Sequence, residues 1–130
     1  MLDIDHFKIV NDTHGHVMGD RVLQAVGEVL KSCLSTESST SVARYGGEEF
    51  AMLVPDSTIE ECLRLAELVR ARTKALKIRD RRTQAVVLTI TISGGIAVLQ
   101  QDEDAHALIT RADRALYQSK QDGRDRITCA

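Results

Sequence analysis

Residues 41–54 read Ser41-Val42-Ala43-Arg44-Tyr45-Gly46-Gly47-Glu48-Glu49-Phe50-Ala51-Met52-Leu53-Val54. Two runs of strand-forming residues flank a glycine pair, and such a pair supplies the backbone freedom of a tight hairpin turn. The stretch therefore predicts antiparallel strands over 41–45 and 49–54, the second running into a core through Ala51, Met52, Leu53 and Val54. Turn chemistry accounts for Gly46 and Gly47 but not for Glu48 and Glu49. A metal or a reacting hydroxyl could meet them there, and because adjacent carboxylates repel, something cationic is expected to arrive. An exposed acidic turn is the alternative.

Working outward, residues 2–5 alternate apolar and acidic as a strand end does, and 6–11 form a short polar helix or turn. Residues 12–19 read as a loop broken by Gly15 and Gly19. Val22, Leu23, Val26, Val29, Leu30 and Cys33 recur at helical intervals over 21–34, before a polar loop over 35–41. Pro55 ends the second hairpin strand. Asp56, Ser57 and Thr58 then offer N-caps to a helix over 59–76, with Cys62, Leu65, Ala66, Leu68, Val69 and Leu76 inward. A basic loop over 78–84 precedes a β-branched strand over 85–92. Ser93-Gly94-Gly95 interrupts that strand as a bulge, and it resumes over 96–99. A last helix over 104–121 and a closing strand over 125–129 complete the order β-α-α-β-β-α-β-(β)-α-β. This predicts an α/β fold of the α+β sandwich type, ferredoxin-like, with a central, mostly antiparallel sheet flanked by helices.

The 130 residues suit one domain. A net charge of −2 implies neither a nucleic-acid-binding surface nor a membrane contact. Cys33, Cys62 and Cys129 are odd in number and far apart, which fits a reducing, cytoplasmic setting better than a disulfide framework. No apolar run approaches the roughly 20 residues that span a bilayer. The chain opens directly on a strand, as though it begins inside a domain with Met1 added or standing in for other residues.

Several groups of residues carry potential chemistry. Asp3 and Asp5 are two apart on a strand, so their side chains share a face. Hard oxygen ligands of this kind suit Mg²⁺ or Mn²⁺; a solvated strand edge is the other reading. If the hairpin lies beside this strand, Glu48 and Glu49 join the aspartates and favour a dication with a triphosphate. Residues 11–20 read Asn-Asp-Thr-His-Gly-His-Val-Met-Gly-Asp. Asp20 either N-caps a helix starting at Arg21 or accepts the paired N1–H and N2–H₂ donors of guanine, with the Asn11 amide on the remaining edge. His6, His14 and His16 lack a zinc pattern. Lys120 and Arg124 bracket Gly123 at the end of the last helix, where they complement the helix dipole or clamp a phosphate.

These segments together resemble the GGDEF family of diguanylate cyclases over nearly the whole chain. The carriers are Asp3-Ile4-Asp5-His6-Phe7-Lys8, Asn11-Asp12, Gly15-His16, Gly19-Asp20, Arg44 through Phe50, Ser93-Gly94-Gly95, and Arg111-Ala112-Asp113 through Ala115-Leu116-Tyr117 to Lys120 and Gly123-Arg124. The resemblance implies a nucleotidyl-cyclase-like fold. It also implies an Mg²⁺-dependent enzyme that joins two GTP into cyclic di-GMP with loss of two pyrophosphates, across a pair of domains. Carried over, Asp3, the Ile4 carbonyl and Glu48 would hold the metal. Asn11 and Asp20 would read guanine, with His16 lining that pocket. Backbone N–H groups of His6, Phe7 and Lys8 would meet the phosphates with Lys120 and Arg124. Glu48 would deprotonate the attacking 3′-hydroxyl, supported by Glu49. A GTP sensor without turnover and a purely structural module are the competing functions.

Two departures from the family pattern stand out. Its inhibitory product site is an Arg-x-x-Asp, and the corresponding positions here are Glu37 and Thr40. An acid replaces the phosphate-binding cation, so no product inhibition through that site is expected. Before Asp3 the family also carries an N-terminal helix, a wide turn and most of the first strand. The expected domain is thus residues 1–130 without that front, attached in its parent to a sensory or receiver domain.

Overall fold

A computed structural model describes residues 1–34 and 39–130. Its elements are β1 (Leu2–Ile4), α1 (Phe7–His14), α2 (His16–Cys33), β2 (Ser41–Gly46), β3 (Glu49–Leu53), α3 (Ile59–Lys74), β4 (Ile78–Arg79), β5 (Val86–Leu88), β6 (Ile92–Ile96), α4 (Ala105–Gln121) and β7 (Ile127–Cys129). Five strands form one sheet in the order β2-β3-β1-β6-β7, and β4 and β5 form a separate hairpin. All pairings in the large sheet are antiparallel except β6 with β7. The β2-β3-β1-β6 order is the ferredoxin-like arrangement predicted from the sequence.

Short as it is, β1 holds the centre, and all three of its residues are buried. Asp3 stands opposite Glu49 on one side and Ser93 on the other. The hairpin acids are thereby carried to the end of the central strand. Ile4 and Ile92 from the sheet pack with Val22, Val26 and Leu30 of α2 and Val69 of α3, all within a single aliphatic core.

Several expectations change. Residues 12–19 are not a loop: α1 runs to His14, Gly15 alone breaks the chain at φ 84°, and α2 starts at His16. Gly19 lies inside α2 and is buried there. Nor does Ser93-Gly94-Gly95 interrupt a strand, for all three are consecutive residues of β6. The break falls earlier, between β5 and β6. Gly95 is small because α4 crosses it closely: a Cβ there would lie 2.1 Å from the Ala112 carbonyl oxygen and 2.2 Å from the Leu116 nitrogen.

Helix α3 begins at a full capping box between Thr58 and Glu61, so of the three candidate caps Thr58 is used. Its Leu68 faces solvent and Thr73 is buried instead. Asp104 caps α4 by accepting the Ala107 N–H. The basic stretch after Ile78 is partly a strand, closed into a turn by Asp80, which accepts the N–H groups of Arg82 and Thr83.

Candidate active site

The hairpin turn is braced from within. Arg44 Nε donates to the Gly47 carbonyl at 2.8 Å, and Gly47 has φ 25°. The Ile4 N–H donates to the Glu48 carbonyl at 3.3 Å, joining the turn to β1. Asp3, Glu48 and Glu49 therefore gather at one sheet end. Asp3 is buried, and burial raises its carboxyl pKa; Glu48 and Glu49 push it the same way, while Lys120 opposes them. Lys120 Nζ lies 3.0 Å from Asp3 Oδ2. Lys120 thus pairs with the Asp3 carboxylate beside the two hairpin acids.

The donor set fits a hard dication. Among the described residues no group of three His, Cys, Asp or Glu side chains forms a ready metal cage. Two carboxylates, Asp3 and Glu48, with the Ile4 carbonyl between them suit Mg²⁺, which keeps water and phosphate oxygens in its shell rather than entering an all-protein cage.

Beside these acids is a cavity of about 160 Å³. Asp3, Ile4, Asp5, His6, Phe7, Lys8, Glu48, Lys120 and Arg124 line it. The start of α1 faces this space. His6 precedes the helix in a left-handed conformation (φ 57°) and provides no side-chain cap, and the first turn contains no acid. First-turn N–H groups of a helix have no partner within the helix, so such an end is an anion site. Lys120 and Arg124 add positive charge from the far end of α4. Both signs of charge thus border one small space.

Asn11 and Asp20 do not line that cavity. Asn11 lies one turn along α1 from Phe7, about 6 Å by helix rise. Its side chain fills the place where a Cβ on Gly19 would stand, 1.9 Å from Asn11 Oδ1. The Gly19 gap thus seats the Asn11 amide between the two helices, and Asp20 follows directly on α2. Asp20 is exposed and lies within α2, so the N-cap reading is excluded: the helix begins four residues earlier than Asp20, at His16. His16 is exposed in the first turn of α2.

Asp5 departs from its pairing with Asp3. Strand β1 ends at Ile4, and Asp5 turns toward β6, accepting from Thr91 Oγ1 and Ser93 Oγ at 2.7 Å each and from the Asp125 N–H at 3.1 Å. These donors tie Asp5 to β6 and Asp125, whereas Asp3 pairs with Lys120, so the two aspartates have different partners. Thr91 and Asp125 were not singled out from the sequence, and Ser93 only as part of Ser93-Gly94-Gly95. The nearest signal was Asp125 immediately after the basic Arg124. Of the two positions of the altered product site, Glu37 lies outside the described residues.

This is an α+β domain with an acidic strand end facing a helix N-terminus, and the comparisons place it in a family. Residues 1–126 match the family described as "Diguanylate cyclase, GGDEF domain". Diguanylate cyclase A of Treponema denticola is 40% identical over 129 residues, covering 98% of this chain and 33% of that protein. Diguanylate cyclase VdcA of Vibrio cholerae is 39% identical over 127 residues, covering 98% and 37%. The GGDEF domain of DgcB from Caulobacter crescentus, solved in complex with c-di-GMP, superposes with a TM-score of 0.93 at 40% identity, covering 98% of this chain and 74% of that one. The chain belongs to the GGDEF diguanylate cyclase domain family. It spans about a third of the length of these two curated relatives. Among the described residues no helix is long and apolar enough to cross a membrane.

Proposed function

We propose that this domain is the catalytic part of a diguanylate cyclase that condenses two GTP into cyclic di-GMP and two pyrophosphates. The observation that carries the reading is the single cavity where Asp3, Glu48, the start of α1, Lys120 and Arg124 meet. Phosphoryl transfer needs alignment and charge neutralisation above all, and this arrangement supplies both. Triphosphate oxygens accept from the N–H groups at His6, Phe7 and Lys8 and pair with Lys120 and Arg124. Asn11 and Asp20 hold the guanine, with His16 at its edge. Asp3, Glu48 and the Ile4 carbonyl would hold Mg²⁺ or Mn²⁺, which when bound supplies charge neutralisation at the phosphates.

Glu48 takes the proton from the 3′-hydroxyl of one GTP as that oxygen bonds to the α-phosphorus of the other. The bond to pyrophosphate breaks in the same displacement, and a second such step closes the ring. Glu49, opposite Asp3 in the sheet, supports Glu48 in that position. The described residues offer one such cavity, so the second GTP comes from a second copy, facing the first. The length of the relatives supports a longer parent protein; in this reading an upstream sensory or receiver domain controls the cyclase, which works in the cytoplasm where GTP is available.

The test is incubation of the dimerised or full-length protein with GTP and Mg²⁺, following cyclic di-GMP and pyrophosphate. Glu48→Gln should abolish turnover and weaken metal binding. Absence of product at every protein concentration, with GTP still bound, would convert the reading to a GTP sensor. Absence of binding in a calorimetric titration would leave a structural module.

A further inference from the structure

Asp5 is a buried carboxylate, 5% exposed, with no part in the metal set. It joins three segments through its oxygens: the end of β1, the start of β6 through Thr91 and Ser93, and the chain leaving α4 through the Asp125 N–H. That last segment is unusual. Gly123, Arg124 and Asp125 have φ 108°, 65° and 47° in succession. Non-glycine residues adopt this region at an energetic cost and persist there when surrounding contacts impose it.

The contacts are present on both sides of Asp125. Its N–H is held by Asp5. Its carboxylate is held by Arg70 Nη1 at 2.6 Å and Lys74 Nζ at 2.5 Å, both from α3. Arg124 itself donates its N–H to the Ser119 carbonyl at 3.0 Å. The residue between these anchors lines the phosphate cavity. An arginine with a free backbone would lose much of its binding energy to ordering; one fixed at its Cα does not.

We propose that Asp5 is a positioning residue for phosphate binding: with Asp125 it clamps the left-handed turn that directs Arg124 into the cavity. This rests on the reading of that cavity as a triphosphate site. Asp5 touches no ligand in this scheme and acts only through Arg124.

The experiment is a double-mutant cycle on the whole chain, reading GTP and guanosine affinities by calorimetry. Asp5→Ala should weaken GTP about tenfold, as expected when one charge-assisted phosphate contact is lost, and leave guanosine unchanged. Asp5→Asn, whose amide oxygen can still accept from the Asp125 N–H, should recover part of the loss. In an Arg124→Ala background, Asp5→Ala should add nothing. Equal weakening of GTP and guanosine, or full additivity with Arg124→Ala, would overturn the clamp. If Asp5→Ala does not fold, Asp125→Gly tests the same point, since it removes the α3 anchors yet tolerates the positive φ; it should show the same dependence on Arg124. Wild-type protein that binds neither ligand removes the cavity reading and this role for Asp5 together. Amide exchange at Asp125, slow in wild type and fast in Asp5→Ala, then separates a real clamp without that ligand from no clamp at all.

Discussion

Gly19→Ala separates recognition from folding at one atom. The new methyl would sit 1.9 Å from Asn11 Oδ1, 3.0 Å from Asn11 Cγ and 3.2 Å from Phe7 Cζ. The first two belong to the end of a rotatable side chain, so the Asn11 amide swings away rather than the helices parting. The Phe7 ring yields by a few tenths of an ångström. In compensation, alanine favours a helix interior over glycine by about 0.8–1 kcal/mol. Stability should therefore change by less than about 1 kcal/mol. Binding should not escape so lightly. An amide that both donates to and accepts from guanine contributes two hydrogen bonds of about 0.5–1.5 kcal/mol each. Their loss predicts GTP binding weaker by roughly 5- to 150-fold. Urea denaturation and calorimetric GTP titration on the same preparation give both numbers. Gly27→Ala, in the same helix with nothing within 4 Å of its Cβ, is the control and should gain stability with no change in binding. Unchanged GTP affinity in Gly19→Ala, or a stability loss beyond about 2 kcal/mol, a size expected of real core overpacking, would refute the reasoning.

Three further outcomes follow from other contacts. Gly95→Ala should destabilise by more than about 2 kcal/mol, since its methyl meets α4 backbone, and more than Gly94→Ala, whose methyl meets the side-chain tips of Ile127 and Leu2 at 2.7 Å; denaturant midpoints that reverse this order would count against the packing described. Lys120→Met should bind Mn²⁺ more tightly without nucleotide, by about three- to tenfold for one removed competing ion pair, while binding GTP more weakly; weaker Mn²⁺ binding in a titration would mean that Lys120 does not compete for Asp3. Glu103 has its pKa lowered from 4.5 to about 2, chiefly by the hydrogen bonds from Arg111. A depressed carboxylate adds stability that is complete above pH 4.5 and is lost as pH falls through about 2. The stability gap between wild type and Glu103→Gln should thus be constant near neutrality and close on acidification; a gap that widens toward low pH would contradict the pairing.

Local chemistry made much of this domain legible. The glycine pair and its flanking strand formers marked the β2–β3 hairpin, because turn geometry depends on a few consecutive residues. Asp56, Ser57 and Thr58 marked the start of α3 to within a few residues for the same reason, and apolar spacing marked the faces of α2. The order of these elements was enough for a ferredoxin-like sheet. What the sequence could not tell apart were residues whose meaning depends on a distant neighbour. Gly15 and Gly19 look alike as helix breakers, yet only Gly15 breaks the chain; Gly19 stays helical and makes room for Asn11. Gly95 reads as a bulge until α4 is laid across it.

Asp3 and Asp5 show the same division most plainly. Alternation along a strand gave them one face and one fate. Residue order alone supplied two pairs of acids, a short polar helix or turn after the first strand and a late pair of cations. Their different fates follow from the packing of the sheet: β1 stops at Ile4, leaving Asp3 to Lys120 and the hairpin acids and turning Asp5 to Thr91, Ser93 and Asp125. The physical reason is that a buried charge is settled by the donors brought around it, and here those donors come from segments some 90 to 120 residues away.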